Sequence, residues 1–243
     1  MRPFLTLVYS YYNSPLMLTT HYNHWAGFST DTKTLFEVVI VDDGSRVAPA
    51  ADVARPEGLP PLQIWRIHED KFFNWPGARN LGAHVTRTPW VLTTDIDHML
   101  PEETIQSIAR NHTSGEVYRF ARLDYPSLQP TLGKRGEPKP HPNTYCMETA
   151  LYNSKLQHDE FFSGHYGFDG LYRTRVDQCA KVVLRPDPIW RVPREAVADA
   201  STDHKALKAA RPPNYHRMMK QKKAESPSAG KILTFQFTYE RVL

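Results

Sequence analysis

The chain has 243 residues, with 30 Lys and Arg against 26 Asp and Glu, a formal net charge of +4 and a sequence pI of about 9.0. A hydrophobic share of 40% with 12% aromatics can build a core, and the length suits one α/β domain or such a domain with a modest extension. No apolar run is long enough to span a bilayer, and the apolar start at Phe4 to Val8 is too short for a signal peptide. A soluble, cytoplasmic protein is expected. Cys146 and Cys179 lack metal-ligand spacing, so free thiols are expected.

In chain order, Phe4–Ser10 reads as a first strand, and Pro15 opens a helix over Leu16–Gly27. Phe36–Val41 is a β-branched strand that ends in Asp42-Asp43-Gly44-Ser45. Leu62–Ile67 is a third strand. A helix over Gly77–Thr86 contains Arg79, and Trp90–Thr94 is a fourth strand, ending in Asp95-Ile96-Asp97-His98. Pro101 and two glutamates open a helix to Asn111, and Glu116–Leu123 is a strand. Pro126–Asn143 is a long loop of the functional or mobile kind. The last third is less periodic, with a possible strand within Lys231–Arg241. Alternating strands and helices predict a mostly parallel sheet flanked by helices.

Two strand ends carry acids. Side chains alternate along a strand, so Asp95 and Asp97 leave on one side. Two carboxylates so close repel unless a cation lies between them. Hard oxygen ligands suit Mg²⁺ or Mn²⁺, which keep positions open for phosphate oxygens. Ligands of open α/β sheets bind at the carboxyl ends of the strands, where Asp42 and Asp43 can accept hydrogen bonds from a ribose or a base. Arg79 at a helix start suits oxyanion recognition.

The order of Leu5–Ser10, Val39-Ile40-Val41-Asp42-Asp43-Gly44-Ser45, Gly77-Ala78-Arg79-Asn80-Leu81-Gly82 and Asp95-Ile96-Asp97 resembles the nucleotide-sugar-binding half of GT-A glycosyltransferases, most like family 2. The resemblance implies a Rossmann-like GT-A fold. Residues 1–114 would form the donor half, and residues 115–243 the acceptor-binding and catalytic-base extension of the same domain. It also implies a metal-dependent transfer from a nucleotide-sugar, commonly a UDP-sugar, to an acceptor hydroxyl with inversion. Tyr11, Asn13, Asp42, Asp43, Arg79 and Asp95 would face the donor. Asp95, Asp97 and His204 would hold Mn²⁺, or Mg²⁺, with His216 in reserve and His98 a neighbour of Asp97.

Further on, Gly164-His165-Tyr166-Gly167-Phe168-Asp169 resembles the acceptor-side motif, in which an acidic pair opens a helix. Asp169 matches the second acid and is the implied base. Phe168 stands where the first acid is common. The basic stretch Lys205, Lys208, Arg211, Arg217, Lys220, Lys222 and Lys223 is either a solvated helix face or a phosphate contact. The latter admits a second reading, glycosylation of hydroxymethylated bases in phage DNA. A third is a nucleotide-binding protein without transfer activity. A nucleotidyltransferase is disfavoured, because Tyr9-Ser10-Tyr11-Tyr12-Asn13 is aromatic rather than glycine-rich.

Overall fold

The computed structural model describes all residues except 1, 72, 202–207, 210 and 226–234. Its centre is a ten-stranded sheet. The first four strands are β1 (Leu5–Tyr11), β2 (Phe36–Asp42), β3 (Leu62–Ile67) and β4 (Trp90–Asp95). They are mutually parallel in the order β3-β2-β1-β4. The residues of β1, β2 and β4 are almost all buried, as parallel strands covered on both faces must be, whereas β3 nearer the sheet edge is mostly half-buried. Register places Tyr11 beside Asp42 and Ser10 beside Asp95, so the two acidic strand ends meet at one edge.

Helices cover both faces. On one, Leu5, Leu7 and Tyr9 of β1 pack with Leu18, Tyr22 and Trp25 of α1 (Pro15–Ala26) and Ile105 and Ile108 of α4 (Glu102–Arg110). On the other, Val8, Val39 and Val41 pack with Ala78 and Leu81 of α3 (Trp75–Val85), Tyr152 of α5 (Thr149–Lys155), and Tyr172 and Val176 of α6 (Asp169–Cys179). The alternation of Leu7 and Val8 between the two layers is the strand period expressed as packing. A short α2 (Thr30–Lys33) precedes β2. The prediction for α1 needed only a one-residue shift, because Pro15 does occupy the first turn.

The remaining strands depart from the simple alternation. Beyond β4 come β8 (Tyr145–Glu148), β6 (Glu116–Asp124), β9 (Lys181–Arg191) and β5 (His98–Met99). The sheet is therefore mixed. β8 is antiparallel to β4 and β6, whereas β9 is parallel to β6. Two antiparallel steps bring β6 back parallel to β4, so the carboxyl ends of β6 and β9 join the edge that carries Asp95. β7 (Gln129–Pro130) pairs with β6 inside the stretch expected as loop. β10 (Tyr239–Arg241) runs antiparallel to β3, a fragment of the strand expected within 231–241; residues 235–238 are not strand, and 231–234 lie outside the described residues. Helix α7 (Tyr215–Glu225) closes the described set. Among the described residues no helix is long and apolar enough to cross a membrane.

Helix α3 lies very close to the sheet. A Cβ on Gly82 would fall 2.3 Å from Val8 Cγ1 and 3.3 Å from Val41 Cγ2. Gly82→Val should therefore overpack this layer and cost about 1–3 kcal/mol. Urea unfolding of the two proteins would show it as a lower midpoint at unchanged slope, and an unchanged midpoint would mean that the helix rides higher than described.

Candidate active site

A cavity of about 560 Å³ opens at the carboxyl edge of the sheet. Tyr11, Asp43, Asp95, Asp97 and Asp169 all line it. Five of the expected residues, drawn from three strand ends, a turn and a helix start, thus share one space.

The two acids at the end of β2 divide their labour. Asp42 is 1% exposed, and its oxygens accept the backbone N–H of Ser45 and Ala50, each at 2.8 Å. It folds the loop and does not line the cavity. Asn13 acts similarly, with a left-handed φ of 47° and a side-chain oxygen that accepts from the N–H of Val47 and Ala48. Asp43 faces the cavity instead. Its Oδ2 accepts from Asn74 N at 2.9 Å, while Oδ1 is buried without a partner. A buried acceptor left bare is costly and calls for a ligand N–H or O–H. Burial pushes its carboxyl up to about 7; hydrogen bonds from Asn74 pull the other way, and Asp42 and Asp70 add to the rise.

Arg79 is fully buried behind the wall and donates through Nη2 to Asp95 Oδ1. Its guanidinium lies 4.3 Å from the ring centre of Trp75, which stacks on Phe168 at 4.7 Å and 6°. Phe168 in turn stacks on Phe162 at 5.0 Å. The position where a first acid is common thus belongs to an aromatic column that supports Arg79. Asn80 holds the neighbouring loop: its amide nitrogen donates to His158 O and Glu160 Oε1.

The second oxygen of Asp95 accepts from Asn143 Nδ2 at 3.1 Å and lies 3.3 Å from His141 Nε2. Burial alone would raise this carboxyl, but Arg79, His141 and His98 hold it well below the usual carboxylate range. Burial lowers His141 to about 4, so it is a neutral donor to Asp95 at pH 7 while its Nδ1 accepts from Thr144 Oγ1 at 2.8 Å. His141 and Asn143 come from the end of the long loop. Only that loop's length hinted at them.

Asp97 is held differently. One oxygen pairs with His98 Nδ1 at 2.7 Å, and the other has no hydrogen-bond partner among the described residues. The turn between the acids is pinned by His21, whose Nε2 meets Ile96 O at 2.7 Å. His98 stacks on His141 at 3.6 Å, so the two acids are tied together through their imidazoles. A single open carboxylate fits a hard divalent cation that takes its remaining ligands from phosphate oxygens and water. No group of three or more His, Cys, Asp and Glu that could hold a metal occurs among the described residues. His204 lies outside the described residues. His216 stands exposed on α7.

Asp169 is the first residue of α6, after Gly164 and Gly167, which have φ of 86° and 98°. That left-handed backbone suits glycine. Burial and the charge of Asp95 raise its carboxyl, while Arg79 and a hydrogen bond from Asn143 restrain the rise. Asn143 therefore touches both Asp95 and Asp169.

The family model of Glycosyl transferase family 2 matches residues 7–169, from β1 to the candidate base. The chain belongs to glycosyl transferase family 2. Among solved structures it is similar to S. aureus TarS 1-349 in complex with UDP-GlcNAc, at 18% identity and a TM-score of 0.64, over 91% of this chain and 65% of that one. S. aureus TarS matches at 19% identity and a TM-score of 0.57, over 82% and 38% of the two chains. TarS 1-349 in complex with UDP matches at 17% identity and a TM-score of 0.53, over 82% and 63%. The chain thus spans less than two thirds of each of these TarS chains, and the likeness establishes the GT-A fold. No curated protein matches the sequence. Within family 2, this chain places Phe168 in its aromatic column beside a single candidate base.

The Asp43 carboxyl has a testable consequence. Its native pKa lies above the unfolded value of about 4, so the folded state binds more protons between about pH 4 and 7 and loses stability as pH rises through that window. Asp43→Asn should remove this slope. The melting temperature of the variant minus that of the parent should climb from pH 4 to 7 and then level off. A flat difference would show that the carboxyl titrates normally.

Proposed function

We propose that the chain transfers a sugar from a nucleotide-sugar, in the first instance a UDP-sugar, to an acceptor hydroxyl with inversion. The observation that carries this reading is the convergence of Asp43, Asp95, Asp97 and Asp169 on one cavity in a family 2 fold. Neighbouring structures of TarS with UDP-GlcNAc and UDP support the choice of donor class. In this reading residues 1–114 bind the donor, and the following residues carry the acceptor and the base.

Asp43 accepts from the base or ribose of the donor. Asp97 holds the cation, Mn²⁺ or Mg²⁺, with His204 a further ligand if it reaches the site. When bound, that cation would offset the negative charge of the leaving diphosphate. Asp95 stays on Arg79, His141 and Asn143 and fixes the turn from which Asp97 projects. A direct metal bond from Asp95 would have to use the one lone-pair site that those three contacts leave on its carboxylate. Asp169 takes the proton of the acceptor hydroxyl as that oxygen attacks the anomeric carbon and the bond from that carbon to the diphosphate breaks.

The DNA-acceptor reading gains one observation. Met218 and Met219 of α7 pack against the cluster of Trp75, Phe162 and Phe168, while Arg217 and Lys220 are exposed. Arg217 and Lys220 are thus turned to the surface, where they could meet a polyanion.

The test is binding and slow hydrolysis of UDP-, GDP-, CMP- and dTDP-sugars with Mn²⁺, Mg²⁺ or EDTA. One donor should bind and hydrolyse in a metal-dependent way. Once an acceptor is found, Asp169→Asn should lose at least about a hundredfold in transfer with donor affinity retained. Failure of every donor to bind with metal present would favour a chain without transfer activity, and normal turnover by Asp169→Asn would remove it as the base.

A further inference from the structure

The cavity has a second charged wall. Arg122 of β6, Arg191 at the end of β9 and Arg194 just beyond it all line the cavity. They sit at the same carboxyl edge as the acids but on the far side of Asp97 from Asp43, because the sheet order places β8, β6 and β9 beyond β4. Register sets Arg191 opposite His98, and Val192 N donates to Asp97 O at 2.8 Å.

The three guanidiniums differ in what they already hold. Arg191 Nε is paired with Asp124 Oδ1 at 2.8 Å. Arg194 donates Nη1 to Ser201 O at 3.0 Å and is otherwise exposed, as is its neighbour Glu195, which shares the cavity wall. Arg122 is half-buried and donates Nε to Thr131 Oγ1 at 3.2 Å. Thr131 is itself anchored, through N to Arg122 O at 2.8 Å and through its hydroxyl to Asp124 Oδ1 at 3.1 Å. The terminal nitrogens of Arg122 have no carboxylate partner among the described residues. A half-buried guanidinium, fixed at Nε and open at both Nη, is preorganised for a planar or tetrahedral oxyanion.

We infer that the acceptor carries an oxyanion, a phosphate or a carboxylate, which docks on Arg122 with Arg191 and Arg194 beside it. This rests on the reading of the cavity as a donor and acceptor site. The position decides against the nucleotide base, whose proposed partner Asp43 directly follows β2, several strands away. The acceptor hydroxyl would then lie between this wall and Asp169.

The test uses glycerol 3-phosphate, glycerate and glycerol as probes of the UDP-saturated protein, read by ligand-observed NMR, with UDP affinity measured separately by calorimetry. Glycerol 3-phosphate or glycerate should bind at least about tenfold more tightly than glycerol, and which of the two binds better identifies the oxyanion. Arg122→Gln and the exposed Arg194→Gln should each weaken the anionic probe severalfold, with UDP affinity changed less than about twofold. Arg122→Lys should restore part of the binding, since it keeps the charge and loses the fork. Equal binding of the anionic probes and glycerol would overturn the inference, as would a fall in UDP affinity in Arg122→Gln with the anionic probe unaffected, which would assign the wall to the donor. If the parent protein binds no nucleotide at all, the donor reading fails by itself, and probe binding to the nucleotide-free protein still tests the wall.

Discussion

The ion pair of Arg79 and Asp95 organises this site. A buried charge survives only if it is paired and hydrogen-bonded, and breaking such a pair leaves a cost of about 3–5 kcal/mol. Arg79 is fully buried and meets Asp95 at the end of the central strand β4. That requirement fixes the height of α3, whose Gly82 lets it settle onto Val8. It also calls for a flat apolar support for the guanidinium, which Trp75 supplies and Phe168 backs. On the other side Asp95 collects His141 and Asn143, so the long loop ends at the site rather than drifting over it.

The consequence for chemistry is a separation of roles between two acids one residue apart. Asp95 is committed to structure at both oxygens, whereas Asp97 keeps one oxygen without a protein partner among the described residues. Asn143 reaches both Asp95 and Asp169, which ties the proposed base to the acid at the end of β4. In the proposed reading the cavity has a donor end at Asp43, a transfer point between Asp97 and Asp169, and a basic wall on β6 and β9.

Much of this was legible in the sequence where local pattern and tertiary role coincide. The β-branched run Phe36–Val41 and the apolar run before Asp95 could only be buried strands, and acids at their ends could only meet at one edge of a parallel sheet. β9 was not visible, because Pro186 and Pro188 argue against a strand; the structure accommodates them at a register shift opposite Phe120 and Ala121. β8 is four residues with no alternation to reveal it. Asp42 and Asn13 look like ligand contacts in one dimension, yet their side chains are occupied by backbone N–H groups of the loop. His141, Asn143 and Arg122 could not be placed beforehand, since what brings them to the cavity is β8 carrying the chain from β6 back beside β4. Phe168 looked like a lost acid and is a member of a stack.

The most direct measurement is a crystal structure with UDP-sugar and Mn²⁺ bound. The account predicts the base or ribose on Asp43, the diphosphate and cation at Asp97, and Asp95 still paired with Arg79. A nucleotide seated elsewhere, or Asp95 released from Arg79 to bind the metal, would contradict it.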